Sequence, residues 1–279
     1  MLNINETQIV FLDNGAKMKN DILIQKKQNI LDITFNRPES RNAINRDMFE
    51  KLLSTLEKSK LDKDLKAVFL SGKGDSFSAG GDVKDMAKNK DKENLHQKTI
   101  SLRRIMEVSK LLYSLPVPTV SIITGPAAGA GFSLALACDM RIATQNAKFT
   151  TAFAKVGFSG DFGGSFFLTK LIGTAKAREL YYFSDVVDAE QAKKLGILNY
   201  LVEKKDLNRF SKNLKQKFRE LPPIAVRFMK KNLNNAELES LDLCLDEEAI
   251  HMMICSETRD HKNAVKAFVA KKRPKFIGK

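Results

Sequence analysis

Val120-Ser121-Ile122-Ile123-Thr124-Gly125-Pro126-Ala127-Ala128-Gly129-Ala130-Gly131-Phe132-Ser133-Leu134-Ala135-Leu136-Ala137-Cys138-Asp139 is the stretch whose reading decides the fold. Its opening, Val120 to Ile123, is short, apolar and β-branched, which predicts a buried strand. Gly125 to Gly131 consists of very small residues and predicts a turn. Phe132 to Cys138 is apolar throughout and predicts a buried helix. A helix that follows such a turn presents free backbone N–H groups and the positive end of its dipole. With no bulky side chain in the way, a ligand oxygen can approach those donors. The same residues also suit plain tight packing of strand against helix, and on this stretch alone both readings stand. Two nucleotide motifs are excluded. A dinucleotide fingerprint needs a third glycine where Leu134 stands, and a phosphate loop needs a lysine where Phe132 follows Gly131.

The chain has 279 residues, enough for one large domain or one domain with an appendage, and 43% hydrophobic content supports a real core. Its apolar runs fall far short of a membrane span. Met1 to Asp13 is interrupted by Asn3, Asn5, Glu6 and Asp13, so no signal pattern is read there. Cys138, Cys244 and Cys255 form no metal or disulfide motif, and Cys138 lies in the apolar stretch. A reduced, cytoplasmic protein without a bound metal is the expectation. The net charge of +14 favours anionic partners: polyphosphate ligands, nucleic acid or a membrane surface. A lysine-rich composition also serves solubility alone.

Outward from the central stretch, residues 1–20 read as an N-terminal extension, 21–205 as the core and 206–279 as a helical C-terminal region. Ile22 to Gln25 and Ile30 to Phe35 alternate as two strands of a hairpin. Asn45 is placed to cap a helix from Arg46 to about Lys60, with Met48, Leu52, Leu53 and Leu56 inward. Leu65 to Leu70 is a third strand, and it opens into a second glycine-rich turn, Gly72 to Asp82. Two strand ends that each open into small residues can each aim one N–H at the same oxygen, the arrangement of an oxyanion hole. Ser78 is a poor nucleophile candidate. The segment lacks the leading glycine of a nucleophile elbow, and His96, His251 and His261 lie in unrelated polar stretches. Leu95 to Leu115 predicts one helix, preceded by the basic stretch from Lys84 to Asn94.

Strands follow at Met140 to Ala143 and Lys148 to Thr150. A third glycine-rich turn, Val156 to Ser165, then contains Asp161, its one carboxylate. A carboxylate in an apolar site has a raised pKa and can shuttle protons, whereas an Asp ahead of a helix is also a common N-cap. The residues leave both open. The remainder reads as helical, with a strand at Leu198 to Val202 and a break at Pro222-Pro223. Strands alternate with helices early and helices dominate late, so the fold class is α/β with a helical C-terminal region.

Several ordered motifs resemble the crotonase family, the enoyl-CoA hydratase/isomerase superfamily. They are Asn36-Arg37-Pro38-Glu39-Ser40-Arg41-Asn42-Ala43-Ile44, Phe77-Ser78-Ala79-Gly80-Gly81-Asp82, Gly125 to Asp139 with Arg141-Ile142-Ala143, Gly163-Gly164-Ser165 with Leu171-Ile172-Gly173, and Ala192 to Gly196. The resemblance implies a spiral of ββα turns, completed as a trimer or dimer of trimers by the C-terminal helices. It implies an acyl-CoA substrate, with coenzyme A as part of that substrate and no separate cofactor. The thioester oxygen would meet the N–H groups of Gly81 and Ala130, Ala130 replacing the usual glycine. Arg41, Ala79, Gly80, Asp82 and Gly129 fall at the substrate-binding positions. Phe268 and Lys271 fall where a C-terminal pair reaches a neighbouring subunit's CoA.

The departures are informative. Hydratases of the family use two glutamates, and this chain carries Ser133 and Phe153 at those positions. Water addition through two carboxylates is therefore disfavoured. Asp161 remains, where the single-aspartate isomerases of the family carry theirs, and the resemblance favours a proton shuttle over a cap. Phe153, Phe158, Phe162, Phe166 and Phe167 are expected to keep the pocket dry, or to be ordinary core. An enoyl-CoA isomerase is the leading expectation. A hydratase or lyase with an atypical acid–base set is the alternative within enzymes. RNA binding by the basic face from Lys84 to Lys110, and a CoA-binding scaffold without activity, are the alternatives outside catalysis, with nucleic acid the less favoured partner.

Overall fold

The computed structural model describes residues 20–83 and 94–279. Most of the 1–20 extension and nearly all of the basic 84–94 stretch thus lie outside the described residues. The hairpin forms from β1 (Ile22–Lys27) and β2 (Ile30–Phe35), turned by Gln28 and Asn29, both at positive φ. Helix α1 (Arg46–Leu61) begins where Asn45 accepts a hydrogen bond from the Met48 amide, and it buries Met48, Leu52, Leu53 and Leu56. Strand β3 (Ala67–Gly72) follows, its first four residues wholly buried.

The segment expected to be one helix from 95 to 115 is two, α2 (Leu95–Ile105) and α3 (Glu107–Ser114), broken at Met106. Then come β4 (Thr119–Ile123), β5 (Pro126–Ala128), α4 (Gly129–Ala137), β6 (Met140–Thr144) and β7 (Lys148–Thr150). The small-residue stretch is therefore not a free turn. Residues 126–128 are a strand, because they pair in parallel with 148–150, and Gly129 to Gly131 form the first turn of the buried helix. Helices α5 (Gly164–Ile172) and α6 (Thr174–Phe183), strand β8 (Val187–Asp188), helix α7 (Ala189–Lys194) and strand β9 (Tyr200–Val202) complete the core.

Among the described residues six strands form one sheet in the order β1-β2-β3-β4-β6-β9, antiparallel at the hairpin and parallel elsewhere. A second sheet, β5-β7-β8, lies at the mouth of α4. The central parallel strands β3, β4 and β6 are mostly buried on both faces, so β3 and β4 read as near-continuous apolar runs. The loops that follow β3 and β4 are locked together by absence of side chains. A Cβ on Gly125 would sit 1.9 Å from the Asp75 carbonyl oxygen, and one on Gly72 would sit 2.3 Å from that of Ser76. Buried Asn42 stitches the same region, donating to the carbonyls of Lys73 (3.0 Å) and Ser76 (2.8 Å).

Four helices make up the C-terminal region: α8 (Leu207–Arg219), α9 (Pro223–Ala236), α10 (Leu241–Glu257) and α11 (Arg259–Val269). Helix α10 spreads its apolar residues around its circumference between the acidic Asp242, Asp246, Glu247 and Glu248, yet His251 is its one buried residue, while Leu241, Leu243, Leu245, Ile250, Met252 and Met253 are exposed. Among the described residues no helix is long and apolar enough to cross a membrane.

Candidate active site

Two backbone segments run side by side at the ends of β3 and β4. Ser78 bridges Ala127 in parallel, its amide donating to the Pro126 carbonyl (3.2 Å) and its carbonyl accepting from the Ala128 amide (2.9 Å). On the other side Gly81 bridges Ile44. That bridge uses the Gly80 carbonyl, which accepts from Ile44 (2.8 Å), and the Asp82 amide, which donates to the Ile44 carbonyl (3.0 Å). In a parallel bridge of this pattern the Gly81 N–H itself turns away from Ile44. It faces the side on which Gly80 lies against the second segment. A Cβ on Gly80 would be 2.8 Å from the Ala128 oxygen and 3.4 Å from the Ala130 nitrogen, and Gly80 holds φ at +94°. A side chain at residue 80 would force the two segments apart.

Ala130 is the second residue of α4, so its N–H is among the donors that the helix cannot satisfy. Ala128, at the cap, offers no side-chain acceptor. Ser78 is structural: it is fully buried, donates to the Asn42 carbonyl (2.8 Å) and accepts from the Gly80 amide (3.1 Å). Asp82 is held by Arg37 Nη1 at 2.9 Å and so braces the loop. Arg41 and Ala79 are exposed at the rim, joined by the Ala79 amide donating to the Arg41 carbonyl (2.9 Å).

Asp161 sits in a loop that only its neighbours make feasible. Gly160, Phe162 and Gly163 hold φ at +112°, +49° and +72°. For a phenylalanine that backbone is strained, and Phe162 is kept there by burial and by stacking on Phe49, ring centroids 4.6 Å apart. Asp161 does not cap α5. The cap residue is Gly163, with no side-chain cap bond. Asp161 Oδ1 is instead buried without a hydrogen-bond partner, and burial pushes the carboxyl up to about 6.

Ser133 is buried one turn beyond Ala130 on α4, and Phe153 is buried beside the loop. Of the five phenylalanines expected to dry the pocket, Phe153 and Phe162 are buried and Phe167 is half-buried, but Phe158 and Phe166 face solvent, because they fall on the outer side of their segments. Phe268 is 84% exposed on α11, and neither it nor Lys271 is brought to the loops by this chain.

Sequence reasoning missed Tyr181. It lies in the last turn of α6 with no motif around it, and its ring stacks near Phe153 at 6.1 Å. Burial raises its phenol pKa, with the Asp161 charge adding to the effect and Ser165 opposing it. A separate cavity of about 610 Å3 lies between α9 and the core, lined by Tyr113, Leu136, Phe167, Met229 and Leu233 among others, away from the two donor segments. Lys230 at its wall is satisfied by Asp139 (2.8 Å) and by the carbonyls of Leu112 and Val117. Among the described residues no group of three or more His, Cys, Asp or Glu side chains could hold a metal.

This architecture, a parallel sheet whose strand ends open into paired small-residue segments, is the crotonase fold. The chain belongs to the enoyl-CoA hydratase/isomerase family, whose model matches residues 25–279. It is 32% identical over 260 residues to the 1,2-epoxyphenylacetyl-CoA isomerase of Escherichia coli (strain K12), covering 92% of this chain and 98% of that protein. It is 29% identical to the short-chain-enoyl-CoA hydratase of Clostridium acetobutylicum, covering 91% and 96%. The crystal structure of an enoyl-CoA hydratase from Bacillus anthracis matches with a TM-score of 0.87 at 28% identity, covering 93% of this chain and all of that one.

Proposed function

We propose that this chain is an enoyl-CoA isomerase that moves a double bond by proton transfer through Asp161. The observation that carries the reading is the buried, unpartnered Asp161 Oδ1 in a site that has Ser133 and Phe153 where hydration would need two carboxylates. The thioester oxygen of an acyl-CoA accepts from the N–H groups of Gly81 and Ala130. The Asp161 carboxylate takes a proton from C2 of a 3-enoyl thioester. The C–H electron pair moves into a dienolate, whose charge rests on the thioester oxygen. Asp161, now protonated, returns that proton at C4, and the double bond settles between C2 and C3. Two fixed donors stabilise the charge without reorganising, at about 10²–10³ in rate each. A carboxyl titrating near 6 suits a group that must both accept and release a proton.

Coenzyme A enters as part of the substrate, with no other cofactor. Arg41 and Ala79 at the rim, Gly80 and Gly129 against the two donors, and the Asp82 brace form its near side. The exposed apolar faces of α10, and Phe268 and Lys271 beyond them, are covered in a homotrimer or dimer of trimers. A patch this apolar and exposed is the mark of an interaction surface. The test is an assay of the purified protein on 3-enoyl-CoA and 2-enoyl-CoA, following conjugated thioester absorbance. A rise from the first without a fall from the second, lost in Asp161→Asn, is expected. A fall from the 2-enoyl substrate would establish hydration and overturn the reading.

A further inference from the structure

Asp161 has to be aimed, and its own side chain does little of the aiming. Its Oδ1 is buried without a hydrogen-bond partner, so the direction of the carboxyl is inherited from the backbone that carries it. That backbone is the run in which Gly160, Phe162 and Gly163 all hold positive φ. Such a run keeps its shape only where its surroundings over-determine it. On one side the loop is pinned by Phe162, which stacks on Phe49 of α1.

The second pin is Tyr181, reaching in from the last turn of α6. A Cβ on Gly160 would lie 2.9 Å from its Cε1 and 3.6 Å from its hydroxyl, and one on Gly164 would lie 2.6 Å from that hydroxyl. One side chain therefore presses on the residue just before Asp161 and on the third residue after it. Glycine at both positions is what admits the ring. Its hydroxyl is hydrogen-bonded to the Ser165 side chain in the first turn of α5, and Phe153 backs the ring at 6.1 Å with the two planes 22° apart. The ring is thus held by its tip and by its face. Its hydrocarbon also covers the loop, and burial is what raises the Asp161 carboxyl. The Asp161 charge in turn contributes to the raised phenol pKa of Tyr181.

We propose that Tyr181 is the positioning residue for Asp161: its ring supports the 160–164 loop and its hydroxyl ties that loop to α5, so that the carboxyl stays dry and fixed in direction. The inference rests on the isomerase reading above for what Asp161 does, and adds what holds it in place. Tyr181 itself handles no proton of the reaction.

The experiment uses Tyr181→Phe, Ser165→Ala, the two combined, and Tyr181→Leu, each in the full chain. The first readout is isomerisation of 3-hexenoyl-CoA across pH. Tyr181→Phe and Ser165→Ala are each expected to lower kcat about fivefold with KM little changed, as suits one lost hydrogen bond. The combined variant should fall no further than either alone, since both changes break the same bond. Tyr181→Leu removes the ring. It is expected to lower kcat about 10²-fold and to carry the acid limb of kcat/KM from about 6 to below about 5. A merely structural role would reduce the amount of folded protein and leave that limb in place. An unmoved limb in a folded Tyr181→Leu protein, or additive losses in the combined variant, would overturn the proposal. Should Tyr181→Leu not fold, the combined variant decides alone.

The second readout needs no substrate. Carboxyl-carbon NMR of aspartate-labelled protein follows the Asp161 titration directly, its signal identified by its loss in Asp161→Asn. That titration should move down in Tyr181→Leu together with the acid limb. If it moves in a protein whose wild type isomerises nothing, the isomerase reading fails and the positioning role stands. If the wild type isomerises and the titration stays fixed in Tyr181→Leu, the positioning role fails instead.

Discussion

The two halves of the site are built from different materials. The half that would hold a thioester oxygen is backbone: the N–H groups of Gly81 and Ala130, set by the Ile44–Gly81 and Ser78–Ala127 bridges. The half that would move a proton is side chain: Asp161, with Ser133, Phe153 and Tyr181 around it. The first half depends on spacing, and a residue's identity there matters only through its size and φ. The second depends on identity alone. A chain can therefore keep the first half while changing reactions through the second, and relatives named as an isomerase and as a hydratase both share this chain's family.

The largest effect that would break the comparison is at Asp161. Asp161→Asn is expected to lower kcat by about 10³-fold with little change in KM. It should also stabilise the fold at neutral pH. With the folded carboxyl raised to about 6, the protonated form is favoured in the folded state, so Asp161 lowers stability as pH climbs from 4 through 6. A rise in unfolding free energy of roughly 2–3 kcal/mol at pH 7, vanishing below pH 4, is expected in denaturant titrations. An unchanged kcat would leave the proton half without its acid and base.

Next comes Gly80. An added methyl meets the Ala128 carbonyl at 2.8 Å with φ at +94°, so Gly80→Ala should displace the Gly81 donor and cost about 10²-fold in kcat. Circular dichroism should show the fold retained. Smaller is the pH dependence. Because Asp161 must be ionised to accept a proton, kcat/KM is expected to fall about tenfold per pH unit below about 6 and to level above it. A flat profile from pH 5 to 8 would contradict a carboxylate base. Smallest is Ala130→Gly, which keeps the N–H and should change kcat/KM by no more than about threefold. A large loss there would mean that the donor half depends on identity after all.

The sequence made much of this visible, unevenly. Alternation gave the β1–β2 hairpin, and Asn45 ahead of a 3.6-residue pattern gave α1, because both are local signals. Residues 126–128 read as a turn because Pro and Ala carry no strand signal. Their strand state comes from pairing with 148–150, which no local pattern encodes. The break at Met106 is likewise absent from the apolar periodicity. In the site, Asp161 was legible as the lone carboxylate in an apolar segment, and the two glycine-rich segments by their size. The cap alternative fell to a backbone fact, Gly163 at the cap position. Tyr181 was illegible because only the absence of a side chain at Gly160 and Gly164 brings it to Asp161, and that coincidence is tertiary.

The close approach of Gly125 to the Asp75 carbonyl, with the Ser78–Ala127 bridge beside it, has a consequence for how the molecule folds. The two donors belong to segments about fifty residues apart, and nothing local holds either in place. They face one another only after β3 and β4 have paired in parallel, a long-range step that is slow in folding. During refolding, helical signal should return well before any capacity to bind a thioester, and the binding site should be completed only when the sheet is.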